Sequence, residues 1–548
     1  MPTTGSKQAD ENTPLLKVES TTKKQSLPLK QLAILAFCRI ADPICLTSIF
    51  AYLPQMIRSF GVAESDIGFW AGIISASLAI CQSFTGVVWG RLSDRIGRKP
   101  SIIIGLISMT ASIVLFGFSN SILLAIFARG CTGLTGNVGI LRTIVAELVP
   151  DPDLKLQALG LLPLAWNIGT ISGPALGGFL SEPARKYPSL FKEGGFFDKY
   201  PFLLPNLFIA GLTASACLLA ILFLDETLDE RKHLYDPGRE LGKKIESLFG
   251  FSCSEEHTKD SSYFYTDVIA NDEECLPKPT DNDCYEPIEA KAPLPLSEIL
   301  TPQSRDLVIL FFIAGLHRVT AEQLLSLFFA THVHNKSDPI RLPFHLPGGF
   351  GLTSSQIGLI FAAAGAIEII IQLFIYAPLA RRYGNKKLLV IAAIADPITY
   401  FVIPYLLALY DPPSLTGSDS GTNNFICYTA WAFIIFVICA NSVLGLNSVV
   451  IMVTDSASSP RALSTLNGFA TSVVAIGIAI GPSAFGFLYS VGQKAEWTTI
   501  PWAGLTIVSS AMWIWIPKVK DRKDWAIEVE GENTDQECAE IGTQTPHT

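Results

Sequence analysis

Apolar residues along this chain gather in blocks of about 20, the length at which a helix crosses a bilayer. Twelve such blocks predict twelve spans, over 31–57, 67–89, 101–119, 121–141, 156–180, 201–224, 306–331, 355–380, 387–409, 425–453, 464–490 and 500–517. No charge falls between Lys99 and Arg129, yet Ser119-Asn120 forms a tight turn that divides this stretch into two helices. Residues 225–305, between spans six and seven, are rich in Asp, Glu, Lys and Pro. They read as a cytosolic linker with short amphipathic helical pieces around 238–250. The tails 1–30 and 518–548 are polar and expected to be disordered. The first 30 residues lack the short apolar run of a cleavable signal, so span one is expected to act as the insertion signal.

Charge sets the expected orientation. With both termini in the cytosol, cytosolic segments hold 29 of the 40 Lys and Arg, the opposite loops hold eight, and three (Arg39, Arg129 and Arg318) lie inside spans. That asymmetry follows the positive-inside pattern. The single Asn-x-Ser/Thr sequon, at Asn335, then falls outside, where it is a candidate for glycosylation.

The two halves repeat one another. Arg39-Ile40 in span one, followed by Leu46 and Phe50-Ala51, matches Arg318-Val319 in span seven, followed by Leu325 and Phe329-Ala330. Ile67-Gly68 with Gln82 matches Ile357-Gly358 with Gln372. Gly160, Gly169 and Gly173-Pro174 match Gly468, Gly477 and Gly481-Pro482. Three ordered matches, at offsets of 279, 290 and 308, indicate a duplicated six-helix unit. The expected fold is therefore an all-α membrane protein of twelve transmembrane helices in two pseudo-symmetric six-helix bundles, 31–224 and 306–517. Many secondary transporters are built this way, with the substrate near midplane between the repeats.

Composition narrows the function. Charged residues make up only 16%, against about 25% in a soluble domain, and mean hydropathy is +0.38. The net charge of −9 leaves no basic field for nucleic acid. Eleven Cys stand apart with no CxxC pair. His332, His334, His345 and Asp338 share a loop but not a metal-ligand spacing. No metal or cofactor is expected, and no phosphate loop or nucleophile triad points to an enzyme.

The loop after span two reads Trp89-Gly90-Arg91-Leu92-Ser93-Asp94-Arg95-Ile96-Gly97-Arg98-Lys99. Gly90 permits close helix approach, Gly97 permits positive φ, and Asp94 can accept from an arginine. This string resembles the signature loop of the major facilitator superfamily. The resemblance implies a latch between the cytosolic ends of the halves, with Asp94, Arg95 and Arg98 as its charge relay. In span five, Gly169, Gly173 and Gly177 lie along one helical face, with Gly160, Pro174 and Gly178 completing the pattern. This resembles the antiporter motif of the twelve-span drug:proton antiporters, and Arg129-Gly130 in span four resembles that group's intramembrane arginine motif. Arg39-(x2)-Asp42-Pro43 and Asp225-Glu226-Thr227-Leu228 are similar to the zinc-induced-facilitator-like branch and its fungal relatives. Asp229 stands where the plant branch carries His, so zinc linkage is not implied.

A charge at bilayer centre costs about 2.5–3.5 kcal/mol on insertion scales, so it needs a partner or a task. Arg39 and Asp42 are three apart in span one, and Arg318 and Glu322 are four apart in span seven. Either pair reads as a structural ion pair or as a proton site, and Arg129, mid-way along span four, is grouped with them. Glu368 has no partner within one turn of its own helix and is the best single candidate for a proton-binding carboxyl. Asp396, some nine residues inside span nine, is read as near the interface. Trp166, Asn167, Gln82 and Gln372 are candidate cavity residues. The resulting expectation is a monomeric, proton-coupled exporter of a small organic solute in the plasma membrane. An organellar carrier of metal chelates or metabolites stays open, given the acidic dileucine pattern Glu11-Asn12-Thr13-Pro14-Leu15-Leu16. So does a nutrient receptor on the same fold that signals through its linker.

Overall fold

The computed structural model describes residues 27–135, 137–149, 152–228, 230–248, 300–332, 342–346, 348–410, 421–457 and 460–520. Most of both tails, most of the linker and Asn335 lie outside these. The described residues are nearly all helical, and ten of their helices are long and apolar enough to cross a membrane. The remaining crossings are the fourth, Ile122–Gly133 continued by Asn137–Leu148, and the fifth, Pro152–Leu180. Spans one to three begin at Leu29, Ile67 and Arg98, and span six is Leu203–Phe223. The second bundle comprises spans starting at Pro302, Ser354, Asn385, Gly421, Pro460 and Thr499.

Local chemistry explains the boundaries. Span three ends at Gly117 and Ser121 caps span four, accepting from Leu124 N–H, so the turn at Ser119-Asn120 divides the uncharged stretch as expected. Span eight opens with a reciprocal capping box between Thr353 and Gln356. Gly97 and Gly384 occupy matching turns at φ +105° and +81°, a conformation costly for other residues. Span four runs past 141 to Leu148, which carries Arg142 into the helix. Span one loosens into a 3-10 turn at Ser48–Ala51, and span eight contains a π segment, Ile371–Tyr376.

Each bundle has its own buried apolar cluster, and a third joins spans from both. The glycine stripe of span five lies flat on span one: a Cβ at Gly169, Gly173 or Gly177 would collide with Pro43, Thr47 or Ser48. Gly477 and Gly481 of span eleven meet Phe312 and Thr320 of span seven in the same manner. The bundles meet through a pseudo-two-fold pair of contacts, Gly68 against Gly486 and Gly358 against Gly178. Those four residues match at the sequence offsets of 290 and 308, so the repeat is realised in three dimensions.

Candidate functional site

The contacts between bundles described above gather at one end, the end carrying the turn at 61–66. There Lys186 Nζ of the first half donates to Ser354 Oγ of the second at 2.9 Å. It also donates to Gly178 O at 2.6 Å and Ser181 Oγ at 2.9 Å. Burial pushes the Lys186 ammonium down to about 8, with Glu182 opposing the fall, so it remains charged at neutral pH. Arg58 donates to Ala330 O across the bundles, and Lys494 pairs with Asp66 at 2.7 Å. This end is closed.

At the opposite end the signature loop is bound within its own half and the adjoining linker. Arg98 joins Asp94 and Glu147, the latter at 3.1 Å. The Glu226 carboxylate accepts from the N–H groups of Arg98 (2.9 Å) and Lys99 (3.1 Å), capping span three. Lys99 pairs with Asp236 at 2.5 Å, ahead of an amphipathic helix at Pro237–Leu248 that lies within the expected linker region. Partial burial alone would raise the Asp236 carboxyl, but Lys99 and backbone N–H groups hold it below the usual range. Arg95 is exposed. All described polar contacts of Asp94, Arg98 and Lys99 thus stay in the first half and linker, and no described polar contact joins this loop to the second half.

Between these ends lie the intramembrane charges. Arg39 donates to Asp42 at 2.9 Å and stacks 4.7 Å from the centroid of the Trp166 ring. Beside Trp166, Asn167 Nδ2 donates to Gln372 Oε1 at 3.1 Å, a direct bridge between the bundles. Gln372 is the second residue of the π segment, and such segments often mark functional sites. Gln82, its counterpart in the repeat, is exposed and makes no described side-chain hydrogen bond.

One turn before Gln372, Glu368 receives a 2.5 Å bond from Arg318, which also pairs with Glu322 at 2.8 Å. Glu368 therefore has a partner, contrary to the reading from its own helix. The partner comes from span seven, 50 residues away, a pairing that helical spacing cannot reveal. The Glu322 and Glu368 side chains remain 26% and 22% accessible. Arg129 differs from expectation too. It makes no described ion pair, and instead donates to the carbonyls of Cys45 (3.1 Å) and Leu46 (2.8 Å) where span one loosens.

Asp396 is the residue that the sequence reading set aside. It is buried, not interfacial, and accepts from Asn441 Nδ2 at 3.0 Å. It lines a cavity with Arg318, His317 and Tyr400 between spans seven, nine, ten and twelve. A matching cavity between spans one, three, four and six holds Arg129 and Asn206. A signal for Asp396 was present: Ile-Ala-Asp-Pro-Ile occurs at both 40–44 and 394–398. In each copy proline removes a helix hydrogen bond next to an acid. Trp513 Nε1 takes the carbonyl of Ala393, four residues before Pro397, at 3.2 Å.

Comparison with known proteins decides the family. The Major Facilitator Superfamily model matches residues 35–337 and 307–536, the whole helical core. The chain belongs to this superfamily. It is 31% identical over 537 residues to the major facilitator superfamily multidrug transporter mfsB of Aspergillus fumigatus, covering 91% of this chain and 85% of that one. It is 27% identical to the protein ZINC INDUCED FACILITATOR-LIKE 1 of Arabidopsis thaliana, over 86% of each chain. Among solved structures, a bacterial homologue of the human lysosomal transporter Spinster aligns with a TM-score of 0.58 at 14% identity, covering 89% of this chain and 96% of that one. The human organic anion transporter MFSD10 aligns at 0.51 and 18%, covering 89% and 100%. The protein is a multi-pass membrane transporter, not an enzyme, and its relatives include multidrug and efflux carriers.

Proposed function

We propose that this transporter exports a small organic solute from the cytosol in exchange for protons, by alternating access. The observation that carries the proposal is the Arg318 cluster. One guanidinium faces Glu322 and Glu368 directly and Asp396 across the adjoining cavity, so the carboxyls outnumber the cation. A surplus carboxyl in a partly dry site is a group that protonates readily, and its accessibility gives protons a route. Asp42, held by Arg39, is the first-half candidate.

Sidedness follows the distribution of Lys and Arg. The closed 61–66 end faces outward, both termini lie in the cytosol, and the conformation described is closed to the outside. The plasma membrane is the proposed location and the monomer the working unit. The names of the fungal relatives, a multidrug transporter and an efflux pump, support export over uptake. The test is flux in sealed vesicles under an imposed pH gradient, against organic acids, hydrophobic drugs and divalent metals. Gradient-driven movement of an organic solute supports the reading. Movement indifferent to the gradient replaces it with a uniporter or another coupling ion.

A further inference from the structure

The linker helix Pro237–Leu248 is tied to three spans at once. Asp236, at its start, pairs with Lys99 in the first turn of span three. Gly242 and Gly238 press on the last turn of span six, where a Cβ on them would stand 1.9 Å from Leu222 O and 2.6 Å from Ile221 O. Near the end of the helix, Glu246 pairs with Lys30 at the start of span one. The start of span one, the start of span three and the end of span six lie on one rim of the bundle. From 236 to 246 the helix covers about 15 Å at 1.5 Å per residue, so it lies along that rim and crosses span six rather than continuing it. Its roll about its own axis is fixed as well. Arg239 reaches Asp225, past the end of span six, at 2.6 Å, and Glu246 stands on the same flank, 3.3 Å from Arg239. At about 100° per residue, the line of glycines separates that flank from Leu241, Ile245 and Leu248. Those three therefore face back along span six, toward the bilayer. Leu241 and Leu248 are 54% and 81% exposed, and Leu218, one turn before Leu222, is 55% exposed. The apolar surface of span six thus runs on beneath the helix, and the sequence continues it with Phe249 and Phe251.

We infer that this helix is a lipid-binding element, with Leu241 and Leu248 entering the cytosolic leaflet and Lys243 and Lys244 taking the headgroups of anionic phospholipid. The leaflet named rests on the proposed sidedness, whereas the contact is independent of the substrate and of proton coupling. The charges fit an anionic surface. Lys244 edges the leucine flank and Lys243 lies beyond Arg239, both are exposed, and neither has an ion pair among the described residues. Glu240, between them on the helix, takes the Tyr235 hydroxyl. An apolar flank at the depth where a span leaves hydrocarbon, bordered by lysines whose ammonium groups reach the headgroups, is the arrangement of an interfacial helix. The same helix holds Lys99 through Asp236, so lipid bound here steadies a contact of the signature loop.

Hydrogen exchange of the full-length protein in nanodiscs tests this, with discs of phosphatidylcholine alone and of a two-to-one mixture with phosphatidylserine. Peptides across 237–248 should exchange more slowly in the anionic discs, by about fivefold for each lysine engaged. High salt should shrink that difference, because exposed charges are screened. The double variant Lys243→Gln, Lys244→Gln should erase the difference between discs while leaving the rate in phosphatidylcholine unchanged. The double variant Leu241→Asn, Leu248→Asn should speed exchange in both discs, and unchanged protection of peptides from 203–223 shows that the bundle stays folded. Protection by the acidic remainder of the linker instead of lipid would be equal in both discs. Equal wild-type rates, a difference that survives loss of both lysines, or leucine variants that exchange at the wild-type rate each overturn the inference.

Discussion

Removing the Lys186 side chain should open the closed end. Lys186 is a described cation that ties the end of span five to the first turn of span eight, and its Ser354 bond alone crosses the bundles. Hydrogen bonds to charged groups contribute about 1.5–3 kcal/mol, and partial exposure of Lys186 discounts that to roughly 1–2 kcal/mol. Lys186→Ala should therefore shift the closed-to-open ratio about 5- to 30-fold toward the outward-open state. Ser181 and Ser354 keep a 2.8 Å bond to each other, so the loss leaves neither hydroxyl orphaned and folding should survive. Spin labels at the exposed positions Glu193 and Gln356, one on each bundle, report the opening by distance measurement. The variant should gain a longer-distance population. A distance distribution unmoved by the substitution would refute the assignment of Lys186 as a gate.

Further outcomes are expected elsewhere. Gly177→Leu should abolish transport and lower the abundance of folded protein in a detergent thermal-stability assay, because its side chain would meet the Ser48 backbone; wild-type stability would contradict the packing. Asp94→Ala should reduce transport at normal membrane abundance, since Arg98 loses one of its two carboxylates; full activity would mean the signature loop has no mechanistic role here. The helix at 237–248 should undock in acid. Lys30 holds the Glu246 carboxyl below its ordinary value, and Asp236 is likewise depressed. Their contribution is present above the unfolded carboxylate value of about 4 and is lost as pH falls through the depressed folded value. Hydrogen exchange across 237–248 should rise in that window and stay flat at neutral pH.

The architecture was legible because a bilayer imposes a simple rule of length and apolarity, and because duplication left matching residues at fixed offsets. Gly68, Gly358, Gly178 and Gly486 turned those offsets into inter-bundle contacts. The turn glycine Gly97 was legible as well, since positive φ has few other solutions. What spacing could not supply was partnership between distant helices. Glu368 looked unpaired because Arg318 lies on another span, and Arg129 looked like an ion-pair member because its actual acceptors are backbone carbonyls, which sequence does not distinguish. Span four was expected to end at 141, whereas the helix carries Arg142 onward to Leu148. Asp396 was set aside on depth alone, when its repeated Asp-Pro context was the better guide.

The central claim, that a carboxyl of the Arg318 cluster carries the exchanged proton, is tested most directly by Glu368→Gln in reconstituted vesicles. The amide keeps shape and hydrogen bonding to Arg318 but does not titrate, and Glu322 still neutralises the guanidinium. Two fluxes of one transported solute are measured side by side: accumulation driven by a pH gradient, and exchange of labelled for unlabelled solute without one. The account predicts that gradient-driven accumulation is lost while exchange persists. Accumulation at the wild-type level in Glu368→Gln, and again in Glu322→Gln and Asp396→Asn, would contradict it.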